Sequence, residues 1–326
     1  MITRTNSRNR AMTSLITNSS AMNALQSLRS VNKGLGQVQD RISTGLKVAS
    51  GKESAAYFQI SETMKGDSGA YGAINEGLTL TKNSIATARL GAETITDLAQ
   101  QFLDKVAFGQ GATGGQSEIE NDLLELVKQM ETTLSQSTFN GDDMLGAGAY
   151  GAGDVTGATL DATDGSLDDA SEANADTTVG ADRNVVTGVS RAGGTYNTTT
   201  IVVGTHDMGM MVENFKTLAT DWATNATDPT DGAAFLAGAL KSAENELGRV
   251  TTVATKLGQA ENSVENQQEF LNKLVSNIDS GVGSMIDADM EEEAARLTAL
   301  QTQQQLATQA LSIANQGPQN VLSLFR

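Results

Sequence analysis

The sequence predicts a mainly α protein. Both chain ends contribute to a long, coiled-coil-like helical bundle, and a central Gly/Thr/Asp-rich insert contains a small β-hairpin. Three observations predict it. Val250, Val253, Leu257, Ala260, Val264, Gln267, Leu271, Leu274, Ile278, Gly281, Met285 and Ala288 follow in steps of three and four, and all but Gln267 and Gly281 are apolar. That is the seam of a helix about 60 Å long at 1.5 Å per residue, and so narrow a stripe needs another helix against it. The composition agrees: 39% of the 326 residues are hydrophobic and only 4% aromatic, which suits thin seams better than a thick core. Finally, no basic residue lies between Lys128 and Arg183, where Gly, Ala, Thr and Asp dominate, so this part is a loop-rich, solvated insert.

The elements follow in order. Residues 1–11 carry Arg4, Arg8 and Arg10, no acid and no period, and are expected to be a disordered extension. Ala21, Ala24, Leu28, Val31, Leu35, Val38 and Ile42 make a first seam in the 12–52 segment, which Thr44-Gly45-Leu46 and Ser50-Gly51-Lys52 should break. The 53–145 segment holds a second seam, Ile74, Leu78, Thr81, Ile85, Ala88, Ala92, Ile95, Ala99, Phe102 and Val106, ending at Gly109-Gln110-Gly111. Ser117 with Glu120 has the spacing of a capping box for a helix through Ile119, Leu123, Leu126 and Met130. Phe139-Asn140-Gly141-Asp142 marks a turn.

In the 146–237 insert, Val185-Val186 and Thr198–Val203 around Gly193-Gly194 predict the hairpin, the only strands expected. Short helices are expected over 208–222 and 233–240, with Asp228-Pro229 between them and Trp222 as a packing residue. The 238–288 segment carries the long seam. It fails at Glu292 and restarts in the 289–326 segment as Leu297, Leu300, Gln304, Ala307, Leu311 and Ala314, as two helices facing different surroundings would do. The acids Asp287, Asp289, Glu291, Glu292 and Glu293 lack the glycine and spacing of a calcium loop. They read better as the first turn of the last helix, where carboxylates meet the positive end of the dipole.

The formal charge of -17 argues against nucleic acid as a partner, because nothing neutralises phosphates. Zero cysteines exclude disulfides, thiolate metal sites and cysteine nucleophiles. No run of 18 apolar residues offers a membrane span, and no apolar h-region with a small-residue end offers a cleaved signal. The single His206 cannot supply a multi-histidine metal site or an unaided triad, and it reads as a loop histidine. No H-E-x-x-H, Walker loop or strand-linked G-x-G-x-x-G occurs. No enzyme, cofactor or metal site is expected.

Both ends resemble bacterial flagellin of the alphaproteobacterial type. Gln39-Asp40-Arg41-Ile42-Ser43-Thr44-Gly45-Leu46-Lys47-Val48 is similar to the family's R-[IL]-S-[ST]-G-L-[KR]-[IV] segment, and Ser137-Thr138-Phe139-Asn140-Gly141 to its T-x-F-N-G turn. The stretch from Ala314-Asn315-Gln316 through Pro318 to Val321-Leu322 and Leu324 resembles the terminus A-N-Q-x-P-Q-x-V-L-x-L. Met12-Thr13-Ser14-Leu15-Ile16 looks like the family's beginning, so Met12 is expected to be the natural start or residues 1–11 an extension. The likeness covers roughly residues 12–145 and 243–326.

It implies an extracellular, self-assembling subunit of the flagellar filament used for swimming, with paired termini lining the core, a surrounding helical tube and an outward insert. It also implies unfolded export without signal cleavage and contacts with the export apparatus, a chaperone, cap and hook-junction proteins, and sister flagellins. Leu98–Val106 departs from the arginine-rich pattern that enteric members present to the innate immune receptor of animals, since only Lys105 is basic there; weak recognition is expected.

The self-assembly residues expected on this reading are Leu28, Val31, Leu35, Val38 and Ile42 packing with Leu297, Leu300, Leu311, Val321, Leu322 and Phe325. Gln301, Gln303, Gln304, Gln305 and Gln309 are expected to form a wettable face toward a central channel. The alternatives are a hook-filament junction protein, a filament-displayed enzyme, or a plain coiled-coil adaptor lacking any need for the end motifs.

Overall fold

A computed structural model describes residues 18–146, 158–168, 183–190 and 197–323, with side chains as far as 316. Residues 1–11, expected to be a disordered extension, and Phe325 lie outside the described residues. Two compact units divide the chain: residues 1–67 with 277–326, and residues 68–276. The expected joints at 52/53 and 288/289 therefore do not coincide with the units' boundaries. Helix α2 (Ala55–Gly111) and helix α6 (Gly232–Ile286) each contribute residues to both units.

In the first unit, α1 (Ser19–Thr44) is capped at its start by Asn18, whose side chain accepts a hydrogen bond from the Ala21 N–H. It ends at Gly45, whose φ of 72° closes the helix with an N–H donated to the Arg41 carbonyl. The expected break at Gly45 is thus a left-handed cap. Opposite it, α6 ends at Ile286 and α7 (Met290–Ser323) begins, so the seam fails where one helix stops. The two interruptions are tied together. Lys47 N–H donates to the Ile286 carbonyl at 2.6 Å and Ala288 N–H to the Gly45 carbonyl at 2.9 Å. Val48, Val282 and Ile286 form a small core there, with Leu46, Phe58, Met64 and Met285 packed against it. Helix α2 begins at Ala55, well before the seam read from Ile74. Its early turns bury Ser61 and half-bury Phe58 and Met64, a pattern too polar for apolar periodicity to register.

The second unit holds the main core. Leu78, Ile85, Ala92, Ile95 and Phe102 of α2 pack with Leu123, Val127 and Met130 of α3 (Gln116–Gln136) and with Val253, Leu257 and Leu271 of α6. Polar pairs line the α2–α6 contact: Arg89 with Glu261 at 2.7 Å, Gln268 with Thr79 at 2.8 Å and Asn75 with Asn272 at 2.7 Å. The capping box expected from Ser117 and Glu120 does not form. Helix α3 starts two residues earlier than that box would set it, behind Gly115 (φ 79°), and Glu120 accepts from the Ala223 N–H instead. A tertiary partner outcompetes the local one.

Among the described residues the insert contributes two small antiparallel sheets, one more than the sequence predicts. The expected hairpin is β3 (Arg183–Ser190) with β4 (Asn197–Val203), bulged at Thr187. Tyr71 donates to the Val189 carbonyl and Gln267 to that of Thr187, both at 2.8 Å, fastening β3 to α2 and α6. The unexpected pair is β1 (Thr159–Leu160) with β2 (Leu167–Asp168), too short for alternation to show.

Helix α4 (Met208–Ala219) and the short α5 (Trp222–Ala226) fill the 208–222 expectation. The short helix expected at 233–240 is instead the start of α6. Its seam passes through Ser242 and Glu246, buried because Glu246 accepts from Asn214 at 3.1 Å and Arg249 at 2.8 Å. Polar residues at seam positions hid the continuity. Trp222 is fully buried, donates to Gln116 at 2.9 Å and meets Phe235 edge-on at 5.5 Å.

Candidate assembly surface

The two terminal helices of the first unit pair antiparallel. Asn18 donates to the Ala314 carbonyl at 2.7 Å, Gln304 to Asn32 at 2.8 Å, and Arg41 to Glu293 at 3.1 Å. Between them, a Cβ placed on Gly34 would lie 3.6 Å from the Leu300 methyls. These contacts step one way along α1 and the other along α7, as the Asn18 and Asp289 caps allow. Asp289 accepts from the Glu291 and Glu292 N–H groups at 3.0 and 3.2 Å, so the acidic cluster stands at the first turn of α7.

The seams read from sequence are the faces turned inward. Leu28, Val31, Leu35 and Ile42 are half-buried and Val38 is buried; across from them Leu297, Leu300 and Leu311 are half-buried. Gln304 belongs to this seam through its bond to Asn32 and so leaves the expected glutamine face, while Gln301, Gln303, Gln305 and Gln309 are exposed. Val321 and Leu322 continue α7 along its backbone, their side chains outside the described residues.

A second set of apolar residues escaped the sequence reading. Met22 is 60% exposed, Leu25 37%, Leu306 58% and Ile313 69%. Each sits off the seam, and their spacing repeats that of the seam: 22 and 25 on α1, then 306, Ala310 and 313 on α7. The signal was present but masked by alanine and glutamine between them. Two helices in contact along one stripe bury little area, and only Val38 of α1 is fully withdrawn from water.

His206 lies between β4 and α4 in the second unit, its N–H donated to the Met144 carbonyl at 3.1 Å. Burial pushes its imidazole below the ordinary value. Among the described residues no helix is long and apolar enough to cross a membrane, and no cluster of three or more His, Asp or Glu is placed to hold a metal.

These features define a class of protein: a chain whose two ends pair as long antiparallel helices and leave further apolar side chains in water. The family models agree. Residues 15–149 match the bacterial flagellin N-terminal helical region and residues 240–325 the C-terminal helical region. The chain is 34% identical to a flagellin of Brucella melitensis over 316 residues, 32% to flagellin C of Rhizobium meliloti over 326, and 31% to flagellin FljM of Caulobacter vibrioides over 319. Each alignment covers 97% of this chain and 100% of the relative. The chain belongs to the bacterial flagellin family.

Proposed function

We propose that the chain is the structural subunit of an extracellular flagellar filament, polymerising through its terminal helices to serve swimming motility. The observation that carries the reading, besides family membership, is the pair of apolar faces on α1 and α7: one closed on itself, the other open. A hairpin so thin gains too little from its own seam to order firmly, so its ends fold fully on assembly. The open stripe then meets a different surface of a neighbouring copy, in heterologous contacts that propagate rather than close.

In this reading Leu28, Val31, Leu35, Val38, Ile42, Leu297, Leu300 and Leu311 hold the hairpin together as the platform for assembly. Val321, Leu322 and Phe325 extend the apolar surface beyond it. Met22, Leu25, Leu306 and Ile313 supply the contacts between copies. The subunit carries no catalytic role. It leaves the cell unfolded through the flagellar export apparatus, with a chaperone before export and cap, hook-junction and sister flagellin neighbours after it.

Peptide mapping of sheared appendages, imaged in parallel by electron microscopy, tests this. The chain should be a major component of the long filaments; its confinement to the hook-filament junction would refute the proposal.

A further inference from the structure

The contact between Arg41 and Glu293 differs from the rest of the terminal seam. Glu293 is 5% exposed and lies on the first turn of α7; Arg41 lies on the last turn of α1. Their side chains meet at 3.1 Å, and Arg296 approaches the same Glu293 oxygen at 3.5 Å. Yet the pair is incompletely satisfied, since Nε of Arg41 and Oε2 of Glu293 are buried without a hydrogen-bond partner. A buried ion pair left partly unpaired is a poor stabiliser, because desolvation offsets its attraction. It can nevertheless discriminate between alignments, because a slip of one turn separates Arg41 from Glu293 and leaves Glu293 only the longer contact with Arg296 on its own helix.

The rest of the seam discriminates little. Its other positions are almost all aliphatic, Ala, Leu, Val and Ile on α1 and Leu and Ala on α7, and a slip of one turn would still set apolar against apolar. We infer that Arg41 and Glu293 are positioning residues that fix the register of α1 against α7, with Asn32–Gln304 as a second check. The inference rests on the reading of the chain as a filament subunit, since a filament requires every copy to present the same outer stripe. A slip of one turn in one direction brings Arg41 against Arg296, a like charge. In the other direction it brings Arg41 to Asp289, whose Oδ1 is already occupied by the Glu291 and Glu292 N–H groups.

The absence of cysteine allows a direct test in assembled filaments. Gly34→Cys with Leu300→Cys reports the observed register on oxidation; Gly34→Cys with Gln304→Cys reports a one-turn slip. In the otherwise native chain the first pair should link at least about tenfold more than the second, the ratio expected of one charged hydrogen bond. With Arg41→Leu and Glu293→Leu together, the two pairs should link to similar extents. Exclusive 34–300 linkage in that background would overturn the inference while leaving the filament reading intact. Should the apolar variant fail to polymerise, the exchange Arg41→Glu with Glu293→Arg decides: filaments with 34–300 linkage support the lock, and no filaments overturn it.

Discussion

Replacing Leu306 and Ile313 together by glutamine removes apolar surface that the isolated chain leaves in water. Their exposures are 58% and 69%, so burying the remainder would gain that fraction of a full transfer. Full burial of such a side chain contributes about 1.5–3 kcal/mol, so the two together contribute roughly 2–4 kcal/mol per subunit on assembly. At 1.4 kcal/mol per factor of ten, the critical concentration for polymerisation should rise on the order of 100-fold. Glutamine is a good helix former, and exposed substitutions usually change stability by less than about 0.5 kcal/mol, so the monomer should be unaffected. Sedimentation of polymerised protein across a concentration series measures the first quantity, and thermal unfolding followed by circular dichroism the second. An unchanged critical concentration would refute the assignment of this stripe to contacts between copies. A large fall in melting temperature would show that the two residues serve the fold of the single chain instead.

Four further outcomes are expected. Deleting residues 290–326 should leave a soluble, helical protein that does not sediment as filaments, because α1 loses its partner. Gly238→Ala should destabilise the second unit by about 1–3 kcal/mol in urea unfolding, since its new Cβ would press on the Asp164 carbonyl of the β1–β2 turn. Burial lowers the imidazole pKa of His206 in the folded state, so the unfolded chain binds the proton more readily and stability falls as pH drops below the ordinary 6.5. His206→Gln should flatten that acid slope in pH-dependent melting. A cell reporter for the animal innate immune receptor should respond weakly to purified protein: the 98–106 stretch offers only Lys105, and that amine is paired with Asp122 at 2.7 Å.

How much of this was legible in the sequence depended on the kind of residue at each seam position. Where the seam was apolar, as at Val250, Val253 and Leu257 or at Leu28, Val31 and Leu35, the periodicity marked the inward face. Where polar residues stood in it, the reading failed. Ser61 hid the first turns of α2, and Ser242 and Glu246 hid the continuity of α6, because the burial of the latter two depends on Gly165 and Asn214, far away in the chain. The Ser117–Glu120 box failed for the same reason, with Glu120 taken by the Ala223 N–H. Gln304 was read both in the seam and on the glutamine face, and its bond to Asn32 on another helix places it in the seam.

By itself the sequence determined what local chemistry dictates. The glycine breaks at 45 and 111, the turn at Asn140-Gly141, the acidic start of α7 and the four long amphipathic stripes follow from backbone freedom, helix dipoles and a 3.6-residue period. Only the tertiary structure decided which stripe closes within the chain and which remains open. It also decided that Arg41 meets Glu293 and that Gly45 is tied to Ala288. Periodicity says that a face must be covered, but only the fold determines what lies across from it.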